Sequence, residues 1–131
     1  MKKYLVLLLL SAGFFATSCK KDSDGSASLH GSWELRTRVG GMLPNQTYTP
    51  GNGNLIKFTD TAYEMYDKGA LTTAGKYIIS PESKKINNST ADYKLILDNK
   101  TTYYLKISRN KIVLFIGEIA ADGVELTYQK Q

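Results

Sequence analysis

From residue 31 onward apolar and polar side chains alternate with a period of two, segment after segment, and the 3.6-residue spacing of an amphipathic helix is absent. Trp33, Leu35, Thr37 and Val39 fall on one face of a first strand, with Glu34, Arg36 and Arg38 on the other. Residues 40–53 carry Gly40, Gly41, Pro44, Pro50, Gly51 and Gly53, which predicts a long loop. Residues 55–59 and 62–67 read as a hairpin turning at Thr59-Asp60-Thr61. Lys68-Gly69 leads into a strand over 71–79, where Gly75 marks a bend or bulge. Pro81 predicts a turn over 80–83, followed by a short strand around Ile86 and a loop over 87–90. Strands follow at 93–97, 101–107, 111–117 and 124–130; the third of these is apolar on both faces and so should be central.

Eight or nine antiparallel strands joined mostly by tight turns must hide their edges, and closure into a barrel does this completely. The expectation is therefore all-β: a small antiparallel up-and-down β-barrel of about eight strands. A β-sandwich is the alternative, because the sequence does not show which strands pair.

The start of the chain has a different character. Met1-Lys2-Lys3, an apolar block over residues 4–15 and Ala16-Thr17-Ser18-Cys19 give the basic, apolar and small-residue regions of an export signal. About 12 apolar residues fall short of the roughly 20 that span a bilayer as a helix. The one cysteine of the chain stands where cleavage would make it the new N-terminus, and alone it cannot form an internal disulfide. The segment resembles a bacterial lipobox, and the resemblance implies lipidation of Cys19. Residues 1–18 are then a lipoprotein signal peptide, 19–28 a polar Gly/Ser-containing tether, and 29–131 one folded domain. The partner so implied is the outer membrane of a cell envelope, at its periplasmic face or at the cell surface.

Removing residues 1–18 leaves 15 basic against 12 acidic residues. That mild, dispersed charge argues against nucleic acid as a partner. The only histidine, His30, borders the tether and has no cysteine or second histidine beside it, so no metal site, no cofactor and no nucleophile–histidine–acid arrangement is expected. The reading is non-enzymatic.

Gly31-Ser32-Trp33 at the opening of the first strand resembles the Gly-x-Trp motif of lipocalins. The order of Gly-x-Trp, a first hairpin, Gly75-Lys76-Tyr77 and a closing strand ending in Tyr128 and Lys130 is similar to the lipocalin-like lipoproteins of Bacteroidota. The resemblance implies that Trp33 closes the barrel floor with Lys130 packed over it, where lipocalins usually carry Arg. It also implies that residues 40–53 arch over the open end as a lid. The plain alternative for Trp33 is an ordinary core aromatic.

If inward positions follow the alternation, Phe58, Tyr63, Met65, Tyr77, Tyr93 and Tyr103 line the interior. An apolar hollow with phenol hydroxyls suits a small hydrophobic or amphipathic ligand, whereas a barrel of this size can also be filled by its own side chains. The expected function is accordingly that of a lipid-anchored binding barrel. The alternative is a protein-interaction lipoprotein, an inhibitor or accessory subunit with an unknown protein partner, presenting Tyr66, Tyr104 and Phe115 outward. Asp60-Thr61-Ala62 matches a short O-glycosylation pattern of exported Bacteroidota proteins, which makes Thr61 a modification candidate.

Overall fold

The computed structural model describes residues 28–131; Cys19, the signal segment and nearly all of the tether lie outside the described residues. The strands are β1 (Gly31–Gly40), β2 (Gln46–Thr47), β3 (Leu55–Phe58), β4 (Ala62–Asp67), β5 (Ala70–Ile86), β6 (Ser89–Leu97), β7 (Thr101–Ser108), β8 (Lys111–Ile116) and β9 (Val124–Lys130). A single 3₁₀ turn, Ile119–Ala121, lies between β8 and β9. From β3 to β9 each strand pairs antiparallel with the next, β3 pairs with β1, and β9 returns to β1 from Trp33↔Lys130 to Gly40↔Val124. The sheet thus closes into an eight-stranded barrel with β2 as one extra short strand, and the sandwich alternative is set aside. Closure gives the backbone donors and acceptors of the first and last long strands partners that an open sheet would leave exposed.

The alternation in the sequence sets which side chains enter. Trp33, Phe58, Tyr63, Leu95, Leu105, Ile112 and Leu114 are buried in one continuous core inside the barrel. Their register partners obey the same parity: Trp33 faces Ile56, Leu95 faces Tyr103, and Leu114 faces Leu126. Three turns have positive φ at successive positions: the two-residue turns Lys68-Gly69 and Asn87-Asn88, and Asp98-Asn99 in the three-residue turn between Leu97 and Thr101. That backbone twist matches the twist of the flanking strands, and Asn, Asp and Gly tolerate it best.

The structure corrects the sequence reading at four places, and three of them are bulges or consequences of bulges. Between Leu35 and Thr37 the register with β9 slips by one residue, so that Arg36 is extra. Beyond it the faces exchange: Arg38 now stands opposite the inward Leu126, while Thr37 and Val39 turn outward. Second, residues 80–87 are not a turn and a weak strand. Instead β5 runs unbroken to Ile86, with Pro81 opposite Tyr93 and the ladder slipping between Pro81 and Lys84. A proline in a ladder is tolerated beside such a bulge. Third, residues 87–90 are no loop: β6 begins at Ser89 directly after the Asn87-Asn88 turn.

The fourth correction concerns the outer surface. The end of the β5–β6 hairpin folds over the outside of β7 and β8, where Ile86 and Ala91 pack on Phe115, Tyr104 and Val113. Lys84 Nζ lies 4.2 Å from the Tyr104 ring centroid, and the Tyr104 hydroxyl donates to Glu82 at 3.2 Å. Ile119 N–H donates to Asn87 Oδ1 at 2.8 Å, tying the hairpin tip to the β8–β9 connection. Phe115 is therefore only 1% exposed, which accounts for a strand apolar on both faces and removes it from any exposed aromatic patch.

Candidate functional site

The two ends of the barrel are built differently. At the floor, Trp33 is 1% exposed and its Nε1 donates to the Leu29 carbonyl at 2.7 Å. Lys130 Nζ sits 5.3 Å from the Trp33 ring centroid, a cation over an aromatic face. Gly31 has φ +127°, and a Cβ there would lie 3.0 Å from the Lys130 side chain. The glycine two residues before the tryptophan thus leaves room for the lysine stem that crosses the floor.

Above the floor the interior is packed. Phe58 and Tyr77 meet edge to face at 5.1 Å between centroids. The Tyr77 hydroxyl donates to the Thr59 carbonyl at 2.6 Å. The Tyr63 hydroxyl donates to Asp98 at 2.7 Å, and Lys76 N–H donates to the same carboxylate at 2.9 Å. Any Cβ at Gly75 would meet Asp98 Oδ1 at 2.1 Å, so the glycine of Gly75-Lys76-Tyr77 is required by the approach of this carboxylate rather than by a bend. Burial first, and then the bond to Asp98, push the Tyr63 phenol up to about 12. Tyr63 and Tyr77 therefore act as internal struts, with their hydroxyls already bonded to the protein.

The opposite end is open. A cavity of about 480 Å³ lies there, bordered by Leu35, Gln46, Tyr48, Ile56, Met65 and Tyr128, with Asp67, Lys68 and Thr72 at its rim. Of the six residues expected to line an interior space, Met65 borders this mouth. Phe58 and Tyr63 are buried in the core, and Tyr77, Tyr93 and Tyr103 pack against it from partly buried positions. Burial, with Tyr48 and Tyr103 as electrostatic neighbours, raises the Tyr128 phenol, which stays neutral at physiological pH.

Residues 40–53 do not arch freely over this mouth. β2 pairs with β1 at Thr37↔Thr47 and Arg38↔Gln46, and Tyr48 N–H donates to the Arg36 carbonyl at 2.8 Å, so the segment continues the barrel wall above β3. Tyr48 packs against the barrel core from the mouth. The segment is then fastened by Glu34, which points outward yet is 2% exposed. Its carboxylate pairs with Arg36 and accepts Gly51 N–H at 3.1 Å, Gly53 N–H at 3.4 Å and the Gln131 amide at 3.2 Å. Arg36 first, then the two glycine amides, hold the Glu34 carboxyl below its ordinary value of 4.5 against the opposing effect of burial.

A larger cleft, about 1010 Å³, lies outside the barrel between the β5–β6 hairpin tip and the β8–β9 connection. Polar residues dominate it, among them Lys85, Asn88, Thr90, Lys106 and Glu118. Ligand sites typically combine apolar and aromatic side chains with a few fixed polar groups; the mouth has Leu35, Leu55, Ile56, Met65 and three tyrosines, whereas the apolar residues of the cleft are Ile86, Ile119 and Ala120. Thr61 lies in the exposed turn between β3 and β4, and His30 is exposed. Among the described residues no group of three or more His, Cys, Asp or Glu side chains is placed to hold a metal ion.

Sequence reasoning missed Gln46, Tyr48 and Tyr128 as mouth residues, and Glu34 as the fastening of the loop. The signal for Glu34 was the run Pro50-Gly51-Asn52-Gly53, whose glycine amides suit a carboxylate acceptor. Comparison with protein-family models, characterised proteins and solved structures finds no match to this chain. The class is set by geometry: a closed antiparallel β-barrel with a packed floor and one open, partly apolar mouth.

Proposed function

We propose that this chain is a lipid-anchored envelope protein whose lipocalin-like barrel holds a small hydrophobic or amphipathic molecule in its mouth. The observation that carries the reading is the mouth cavity, whose 480 Å³ falls within the range of roughly 300–1,000 Å³ usual for small-molecule sites. The floor supports it. A barrel sealed by Trp33 and Lys130 at one end presents a blind hollow rather than a channel. The reading is non-enzymatic and involves no cofactor. Native mass spectrometry of the protein extracted in mild detergent is expected to show a retained small amphiphile, and Leu35→Trp, which fills the mouth, is expected to abolish that adduct. A folded protein with no adduct, or an adduct that survives Leu35→Trp, refutes binding in the mouth.

The anchor is the second half of the proposal, carried by Ala16-Thr17-Ser18-Cys19 and the short apolar block before it. Cys19→Ala is expected to move the protein from the membrane to the soluble fraction. Retention on the membrane of a variant whose leader has been removed would rule lipidation out.

A further inference from the structure

Next to the mouth, across the ladder from Gln46, stands a positive charge that no ion pair among the described residues neutralises. The bulge at Arg36 places two arginines on opposite sides of the wall. Arg36 pairs outside with Glu34. Arg38 stands on the inner side, opposite Leu126 on β9 and opposite the mouth residue Gln46 on β2. Its guanidinium lies beside Gly41, where a Cβ would lie 2.9 Å from Arg38 Nη2 and 3.0 Å from the Val124 side chain. Arg38 Nη1 is buried and has no hydrogen-bond partner, and among the described residues Arg38 takes part in no ion pair.

A guanidinium is always charged and offers five donors in a planar fork, so leaving a buried N–H of it unmatched is unfavourable unless an acceptor arrives. Such acceptors are the oxygens of a carboxylate, sulfate or phosphate monoester, which the fork can bind bidentately. The apolar side chains of the mouth, Leu35, Ile56 and Met65, suit the hydrocarbon or aromatic part of the same molecule. We infer that the ligand is an acidic amphiphile, with its anionic group on Arg38 and its apolar part in the mouth. This deepens the proposed function and rests on binding in the mouth.

The test uses the chain from residue 19 onward carrying Cys19→Ala, titrated with 11-(dansylamino)undecanoic acid and with its methyl ester. Dansyl fluorescence reports binding. The acid is expected to bind about tenfold or more tighter than the ester, the size set by a charge-assisted hydrogen bond in a partly buried site. Arg38→Gln is expected to bring the acid-to-ester affinity ratio down to about one, and Arg38→Lys to retain part of it. Far-UV circular dichroism establishes that each variant is folded. Equal affinities of the acid for the parent and for folded Arg38→Gln overturn the role of Arg38 and leave the binding barrel standing. Failure of both probes to bind the parent removes the mouth as a site, and the inference with it.

Discussion

Trp33→Ala is expected to destabilise the barrel by about 3–5 kcal/mol, the usual cost of removing a large aromatic from a packed interior. Domains of this size have about 5–15 kcal/mol in all, so the variant keeps a small margin at best. The melting temperature should fall on the order of 15–30 °C. The large value follows from three losses at one position. The side chain is among the largest of the fully buried ones, its Nε1 is the donor to the Leu29 carbonyl, and its ring is the surface under Lys130. Trp33→Phe separates these contributions, since it restores most of the apolar contact but not the donor; it should cost about 1–3 kcal/mol less than alanine. Urea unfolding followed by far-UV circular dichroism measures both. A loss below about 1 kcal/mol for alanine would show that Trp33 is not the keystone of the floor.

The barrel was legible in the sequence because its cause is local and repeated. An inward side chain every second residue, with Asn, Asp or Gly at the reversals, leaves few arrangements for a domain of this length. Tyr103, Leu105 and Ile107 on β7 and Leu126 and Tyr128 on β9 follow that rule throughout and were placed correctly. The rule fails where one strand carries an extra residue. Nothing in Leu35-Arg36-Thr37 announces that Arg36 is looped out, yet from that point every side chain of β1 exchanges faces. The same limit applies at Pro81, whose residue type argued for a turn although the adjacent bulge lets it stay in the ladder.

The mouth was harder to read than the barrel for a related reason. Parity tells which side a residue faces but not how far along the barrel axis it lies, and the stagger between strands decides the latter. Phe58, Tyr63 and Tyr77 face inward as the alternation requires, but they lie toward the floor end and pack there. Met65, one turn of the pleat further along β4, reaches the opening. Tyr48 lies in a segment read as loop and enters the mouth only because β2 fastens that segment to β1. By strict alternation Arg38 falls with Glu34 and Arg36 on the face opposite Trp33 and Leu35. Its inward placement is a product of the bulge and of no residue pattern.

Glu34→Ala is expected to be the second most damaging change, at about 2–4 kcal/mol. It leaves the Gly51 and Gly53 amides, the Gln131 amide and the Arg36 guanidinium without their common acceptor. The same carboxylate gives the barrel an acid limit of definite sign. Its pKa in the folded state lies below the ordinary 4.5, chiefly because of Arg36. The stabilisation is therefore complete above the unfolded-state value and is lost as pH falls through the folded-state value. Urea midpoints of the parent protein should hold between about pH 7 and 5 and drop below about pH 4.5. Asp98, held low chiefly by the Tyr63 hydroxyl, adds to the drop in the same direction. Subtracting the profile of Glu34→Gln isolates the Glu34 contribution, because the amide cannot ionise while Asp98 is unchanged. The parent should lose more stability than Glu34→Gln across the acid interval, and the amides of Gly51 and Gly53 should lose hydrogen-exchange protection in the variant at neutral pH. Parallel acid profiles, with those amides equally protected, would mean that Glu34 does not fasten the loop. In that case β2 and Tyr48 must owe their position to the β1 ladder alone.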